Sequence, residues 1–352
     1  MSQFKSLRRK IEVLALTVLS IEWAGAVLAQ DAAPSPLRVG VIGLDTSHAV
    51  EFARLLNDPQ APAQRAGCRV VGAYPQGSAT IESSASRIPG YTADLQKLGI
   101  PIVDSIEQLL AGVDAVLLET NDGQLHLEQV LPVLRARKPV FVDKPAAASL
   151  AEVVAMYQAA QHYQTPLFSA SALRFTPAAL QARTGNLVGR VLGCDTYSPA
   201  SLEPSHPDLY WYGIHGVEQL FTVMGTGCES VVRIATPGTD LVVGTWSDGR
   251  VGTFRGTRTG KHLYGGTVFG EEGAASTGGY TGYEPLVNEI AQFFQTGVAP
   301  VAAEETIEIY TFMSAADTSK LSPGVSVRLA DVLAQAQQAA QDRLKQLDVL
   351  PK

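Results

Sequence analysis

Leu37-Arg38-Val39-Gly40-Val41-Ile42-Gly43 is a short, β-branched run that stops at glycine. Such a run reads as a strand buried on both faces, the kind that parallel sheets are built from. Asp45, Thr46 and Ser47 follow as candidate helix caps, and Val50, Phe52, Ala53, Leu55 and Leu56 share one face of the helix they would open. Further along, residues 68–74, 113–118 and 139–142 are strand-like, and Ser105 is placed to cap a helix over 105–110. Strands alternating with helices across short turns imply right-handed βαβ crossovers. The expected fold is therefore α/β: a Rossmann-like, doubly wound parallel sheet over residues 37–145. Such sheets bind ligands at the carboxyl ends of their strands, where Gly43, Thr120 and Asp143 fall.

Past residue 170 the pattern changes. Residues 188–193, 230–235 and 240–246 are strand-like, and Ser247-Asp248-Gly249-Arg250 reads as a hairpin turn into Val251-Gly252-Thr253-Phe254. Helices are expected at 284–296 and 303–318. This predicts an α+β domain with a mostly antiparallel open sheet over 146–328, then a terminal helix within 329–352. At the other end, Lys5, Arg8, Arg9 and Lys10 precede an apolar stretch over 13–29 with small residues at its exit. Residues 1–30 thus read as a secretory signal and 31–36 as a linker, with an uncleaved anchor or an upstream mis-start as the alternatives. The Arg8-Arg9 pair resembles a twin-arginine signal. The expected location is periplasmic or secreted, without stable membrane insertion once the signal is cleaved.

A length of 352 residues suggests two domains, and 46% hydrophobic against 17% charged content excludes a disordered or coiled-coil chain. Lys plus Arg is 27 against 34 for Asp plus Glu, a net charge of −7 that offers no cationic face to nucleic acid or an anionic membrane. Cys68, Cys194 and Cys228 share no metal-ligand spacing and are too few for a disulfide framework.

Chemistry concentrates in Val140-Phe141-Val142-Asp143-Lys144-Pro145, an acid and a lysine at a strand end, with His126 eighteen residues before the lysine. With Thr120-Asn121-Asp122-Gly123-Gln124-Leu125-His126, Leu173-Arg174-Phe175 and Val188-Gly189-Arg190-Val191, this order resembles the Gfo/Idh/MocA family. The resemblance spans residues 37–328 and implies a nicotinamide-dependent oxidoreductase acting on a sugar, cyclitol or related polyol. It assigns proton transfer to Lys144 and lays Gly43, Thr46, Ser47, Thr120, Asn121, His126, Asp143, Lys144 and Arg174 along the dinucleotide. The family's second catalytic stretch corresponds to Trp211-Tyr212-Gly213-Ile214-His215-Gly216-Val217-Glu218. On a helix His215 and Glu218 would share a face, so the carboxylate could orient the imidazole; both join Lys144 as expected catalytic residues. Asp208, Tyr210 and Tyr212 are candidates for the acid that Trp211 replaces. A homo-oligomer is a further expectation from the family.

The glycine-rich turn departs from the dinucleotide fingerprint. Gly43-Leu44-Asp45-Thr46-Ser47-His48 keeps only the first glycine, and Tyr74-Pro75-Gln76 offers no acid to a ribose. Asp45 must either cap the helix or oppose the phosphates. Tightly held NAD or NADP is expected, with no dinucleotide at all as the alternative. The rival functions are a non-redox glycoside hydrolase or lyase on the same scaffold, and a non-catalytic sugar-binding protein. Asp45, His48, His126 and Asp143 suit zinc or manganese by type but lack close ligand spacing, so no metal is assigned. The Gly-rich stretch at 265–266 and 278–279, with Tyr280 and Tyr283, reads as a mobile loop ahead of a sugar-stacking one.

Overall fold

The computed structural model describes residues 35–351. The expected signal segment lies outside the described residues. The short apolar runs form a parallel sheet of β1 (Leu37–Ile42), β2 (Cys68–Tyr74), β3 (Ala115–Leu118), β4 (Val140–Val142) and β5 (Leu167–Ser169) in the order β2-β1-β3-β4-β5. Crossovers carry α1 (Ser47–Asn57), α2 (Ala63–Ala66), α3 (Glu82–Ala85), α4 (Ile88–Lys97), α5 (Ile106–Leu110), α6 (Gly123–Arg135) and α7 (Leu150–His162). Val41 pairs with Ala73 on one side and Leu117 on the other, and Leu117 pairs in turn with Phe141. That register brings Gly43, Glu119 and Asp143 to one edge, beside the switch point between β1 and β3. The sheet runs on past residue 145, since β5 joins β4 in parallel and completes the layer.

A 3-10 turn (Ala172–Phe175) and α8 (Pro177–Arg183) lead into β6 (Val191–Pro199), α9 (Ile214–Met224), β7 (Cys228–Ala235), β8 (Thr239–Trp246) and β9 (Val251–Thr257). Then follow β10 (Gly265–Gly270), β11 (Gly273–Ser276), α10 (Glu284–Thr296), α11 (Ala303–Lys320), β12 (Val327–Arg328) and α12 (Leu329–Gln346). The second sheet is ordered β11-β10-β6-β9-β8-β7-β12, and only the β6–β9 pairing is parallel. β6 begins three residues after the expected position because Gly189 turns the chain at φ +70. Phe221 of α9 and Phe312 of α11 pack on Trp246 and Phe254 of the inner face. The outer face leaves Leu192, Tyr197, Val251 and Phe269 exposed.

Helix α10 returns to the first sheet. Leu286, Val287, Ile290, Phe293 and Phe294 join α1 and the sheet residues Val39, Val41, Phe141 and Phe168 in one core, with Phe293 edge-on to Phe168 at 4.9 Å. Helices α6, α7 and α12 pack into the core that the other face of this sheet shares with the second sheet. No helix among the described residues is long and apolar enough to cross a membrane.

Candidate functional site

The turn after β1 needs its glycine: Gly43 has φ +90, and a Cβ there would lie 2.3 Å from the Thr120 backbone nitrogen. Thr46, not Asp45, caps α1, its hydroxyl accepting from His48 N at 3.0 Å. Asp45 is 0% exposed and accepts from Ser78 N at 3.0 Å and Asn121 N at 2.9 Å. Burial pushes its carboxyl above the usual range, against those two hydrogen bonds. Ser78 donates to Asp122 at 2.7 Å and the Asn121 amide donates to Ser84 at 3.2 Å. The loops after β1, β2 and β3 are thereby stitched together over the adjoining strand ends.

Beside this seam lies a cavity of about 270 Å³, small for a ligand pocket. The end of β4 supplies Asp143 and Lys144, and the start of α9 supplies His215. Thr46, Ser47 and Asn121 face it from the β1 and β3 loops. Tyr212, Tyr264, Tyr280 and Tyr283 form an aromatic wall, so the stretch around 280 lines the cavity. Flat aromatic faces with hydroxyl tips suit a ligand that is apolar on its CH faces and polar at its edges.

Lys144 Nζ lies 5.4 Å over the Tyr212 ring and forms no ion pair with a described residue. His215 Nδ1 is 2.7 Å from Ser171 Oγ, which accepts from Leu173 N at 3.3 Å. The serine proton is thus available to Nδ1, an arrangement that puts the ring proton on Nε2. Burial, with Lys144 and His48 adding repulsion, holds the His215 pKa well below the usual histidine range, so the ring is neutral. Asp143 Oδ2 is 2.6 Å from His48 Nδ1, and His48 Nε2 is 3.1 Å from the Tyr283 hydroxyl. A carboxylate only accepts, so Nδ1 of His48 carries a proton. Burial opposes the Asp143 charge, yet His48 and Lys144 together hold its carboxyl below the usual range.

Gly43, Thr120, His126, Arg174 and Glu218 lie outside the cavity lining. His126 is buried between the carbonyls of Ala146, 3.1 Å from Nδ1, and Thr120, 2.6 Å from Nε2, bridging the β3 and β4 loops. The expected His215–Glu218 pairing is not formed. Glu218 instead meets Arg174 at 2.9 Å, and Arg174 also bonds Glu305 of α11, which Arg183 clamps through two 2.9 Å bonds. A buried arginine attracts the carboxylate that a neutral, serine-bound histidine does not need. Asp208 pairs with Arg233 at 2.8 Å and the buried Tyr210 bonds Ser314 at 2.7 Å, so of the three candidates only Tyr212 reaches the cavity.

Two residues beyond the expected set stand at the centre. His48 takes the place of the third glycine of the turn, and Glu119 is an acid directly after the apolar strand β3. His48, Glu119 and Asp143 offer ligand atoms within 4.8 Å of one another. Burial and the Asp143 charge push the Glu119 carboxyl well above the usual range. An acid closing a buried run was the signal available in the sequence. Asp45 and His126 do not join the group; each has its own partners.

Residues 37–171 match the family model GFO_IDH_MocA, an oxidoreductase family with an NAD-binding Rossmann fold. Among solved structures, a probable dehydrogenase of Thermotoga maritima aligns with TM-score 0.67 and 20% identity, over 84% of this chain and 100% of that one. The scyllo-inositol dehydrogenase of Lactobacillus casei, solved with NAD(H) and scyllo-inositol, aligns with TM-score 0.66 and 14% identity over 84% and 100%. An oxidoreductase of Agrobacterium radiobacter, solved with NAD+, L-tartaric acid and magnesium, aligns with TM-score 0.66 and 14% identity over 85% and 100%. These likenesses establish a common fold. No curated protein matches the chain.

A nicotinamide dinucleotide meets this site on unequal terms. For its nicotinamide end the cavity offers Thr46, Ser47, Asn121 and Asp143, beside the amino end of α1. Its adenosine end does not fit: Asp45, Ser78 and Asp122 fill the crevice after β1 and β2, and no residue from 74 to 78 lines the cavity. Binding of the whole molecule would need the segment after β2 to swing away from Asp45.

Proposed function

We propose, from the match of residues 37–171 to the Gfo/Idh/MocA oxidoreductase family, that the chain acts on a CH–OH carbon of a polyol-sized molecule such as a sugar or cyclitol. The observation that carries this reading is the meeting of Lys144 and His215, from different sheets' elements, in one tyrosine-walled cavity. When bound, a nicotinamide would supply or take the hydride. Lys144 exchanges the hydroxyl proton: its ammonium gives the proton to a carbonyl oxygen in the reducing direction, and its amine takes it in the oxidising direction. Neutral His215 donates from Nε2 to the same oxygen and holds it in place, with Ser171 fixing the ring. The tyrosines exclude water and orient the ligand. Export through residues 1–30 is part of the same proposal.

The test begins with purified protein, denatured and analysed by mass spectrometry for a released nicotinamide. Single-turnover reactions over a panel of sugars and cyclitols follow, for the parent, Lys144→Met and His215→Asn. Each variant should lose on the order of a hundredfold in rate or more, the usual scale of general acid–base catalysis, with circular dichroism unchanged. Parent-like turnover by Lys144→Met would remove the lysine from the chemistry. The filled adenosine side favours a second reading, a non-redox lyase or hydrolase on this scaffold. A protein that yields no nicotinamide yet cleaves a glycoside would select it.

A further inference from the structure

Three buried carboxylate oxygens at the strand ends have no hydrogen-bond partner: both of Glu119 and Oδ1 of Asp143. Glu119 is 0% exposed, so bulk solvent does not reach its oxygens. Buried polar atoms without partners are costly, and such a group in a native fold calls for a physical account. We propose that His48, Glu119 and Asp143 bind one divalent metal ion of the zinc–manganese class, on the floor of the cavity that Lys144 and His215 line.

The competing account is an extra proton on Glu119. A protonated carboxyl has an O–H to donate, and the natural acceptor here is Oδ1 of Asp143. One proton shared between them would engage a single oxygen of each and leave the second Glu119 oxygen without a partner. A cation held by both carboxylates would engage Glu119 and Asp143 together, with the second Glu119 oxygen free to bind the same ion. Bonds of about 2.0–2.2 Å to oxygen or nitrogen put two ligands of one ion at most roughly 4.4 Å apart. The three ligand atoms, within 4.8 Å of one another, need only a small contraction to reach that span. Two carboxylates match the charge of a divalent ion, and one imidazole with two carboxylates suits zinc, manganese or iron better than calcium, which takes six to eight oxygens.

The fold places the group where it can act. Glu119 directly follows β3, Asp143 directly follows β4 and His48 lies in the first turn of α1, so the three converge at the switch point of the parallel sheet. His48 and Asp143 also line the cavity, leaving the open side of the ion toward the ligand. To bind the ion, His48 Nδ1 would release its proton and its 2.6 Å bond to Asp143, while Tyr283, at 3.1 Å from Nε2, would orient the imidazole from behind. An ion there would also offset the negative charge that Asp143 and Glu119 present to a hydroxylated or anionic ligand. The site does not depend on whether a dinucleotide binds.

The experiment uses the full chain stripped with a chelator, equilibrated with Zn2+ or Mn2+, passed through a desalting column and analysed by elemental mass spectrometry. The parent should retain about one ion per chain, and Glu119→Gln and Asp143→Asn should each bind at least tenfold more weakly, on the scale of lost ligand contacts. Circular dichroism accompanies each variant. Should a variant fail to fold, the parent with Mn2+ supplies its own measurement: electron spin-echo spectra should carry the modulation of one bound imidazole nitrogen. Retention of no ion by the parent, equal retention by folded Glu119→Gln, or a manganese signal without nitrogen would each overturn the site. Activity enters none of these readings, so they stand apart from the test of Lys144 and His215.

Discussion

At Asp45 a carboxylate that could have faced phosphate is turned inward onto two backbone amides, Ser78 N and Asn121 N. The alternatives open in the sequence were a helix cap or a charge against phosphate, and the side chain is neither. Its role is to join loops that follow three different strands. Asp45→Gly should therefore lower stability by about 2 kcal/mol or more, because each orphaned buried amide costs about 1–3 kcal/mol. Denaturant unfolding, with the slope compared as a check on two-state behaviour, measures it. A variant as stable as the parent would show that these amides do not depend on Asp45. The same variant bears on the cofactor, since loosening the seam clears the crevice in which an adenosine would lie.

At the scale of one element, α9 carries two different jobs on neighbouring positions. His215 faces the cavity and Glu218 faces the interior, where Arg174 ties it to α11 through Glu305. Burial pushes the Glu218 carboxyl up to about 7, with Arg174 pulling the other way. The unfolded chain releases that proton near 4.5, so folding holds a proton between about pH 4.5 and 7. The stability this group contributes is full below the lower value and is lost as the pH rises through the upper one. Glu218→Gln, which keeps the neutral form at every pH, should gain melting temperature relative to the parent between pH 5 and pH 8.5. A difference in melting temperature that does not move with pH, read by calorimetry, would refute the raised pKa.

On the scale of the whole molecule, the first domain is completed by chain from far away. Strand β5 lies beyond residue 145, and α10 comes from residues 284–296 to cover the α1 face of the parallel sheet. Phe293 is buried against Phe168 at 4.9 Å, so Phe293→Ala should destabilise by about 3–5 kcal/mol, the range for a large aromatic removed from a core. Because that residue belongs to the second half of the sequence and the core to the first, both sheets should unfold in one transition. Two separate transitions, or a loss under about 1 kcal/mol, would contradict this picture. The return of α10 also delivers Tyr283, at its amino end, to His48, coupling this packing to the site.

The parallel sheet, its strand ends and Lys144 were legible from the sequence because buried strands are continuous apolar runs and their ends fall beside glycine, cap residues and charge. The family resemblance also marked Thr46, Ser47 and His215 as facing a ligand, and the structure brings all of them to one cavity. What the sequence misassigned or left open were partnerships: Glu218 lies with Arg174 instead of His215, Asp45 with Ser78, and Glu119 beside His48 and Asp143. A side chain's partner is set by the packing of distant segments in three dimensions, and helical or strand spacing carries no information about it. Glu119 shows the limit most clearly. One acid after β3 means little alone, and becomes a metal-site candidate only when register places Asp143 beside it and α1 turns His48 toward both.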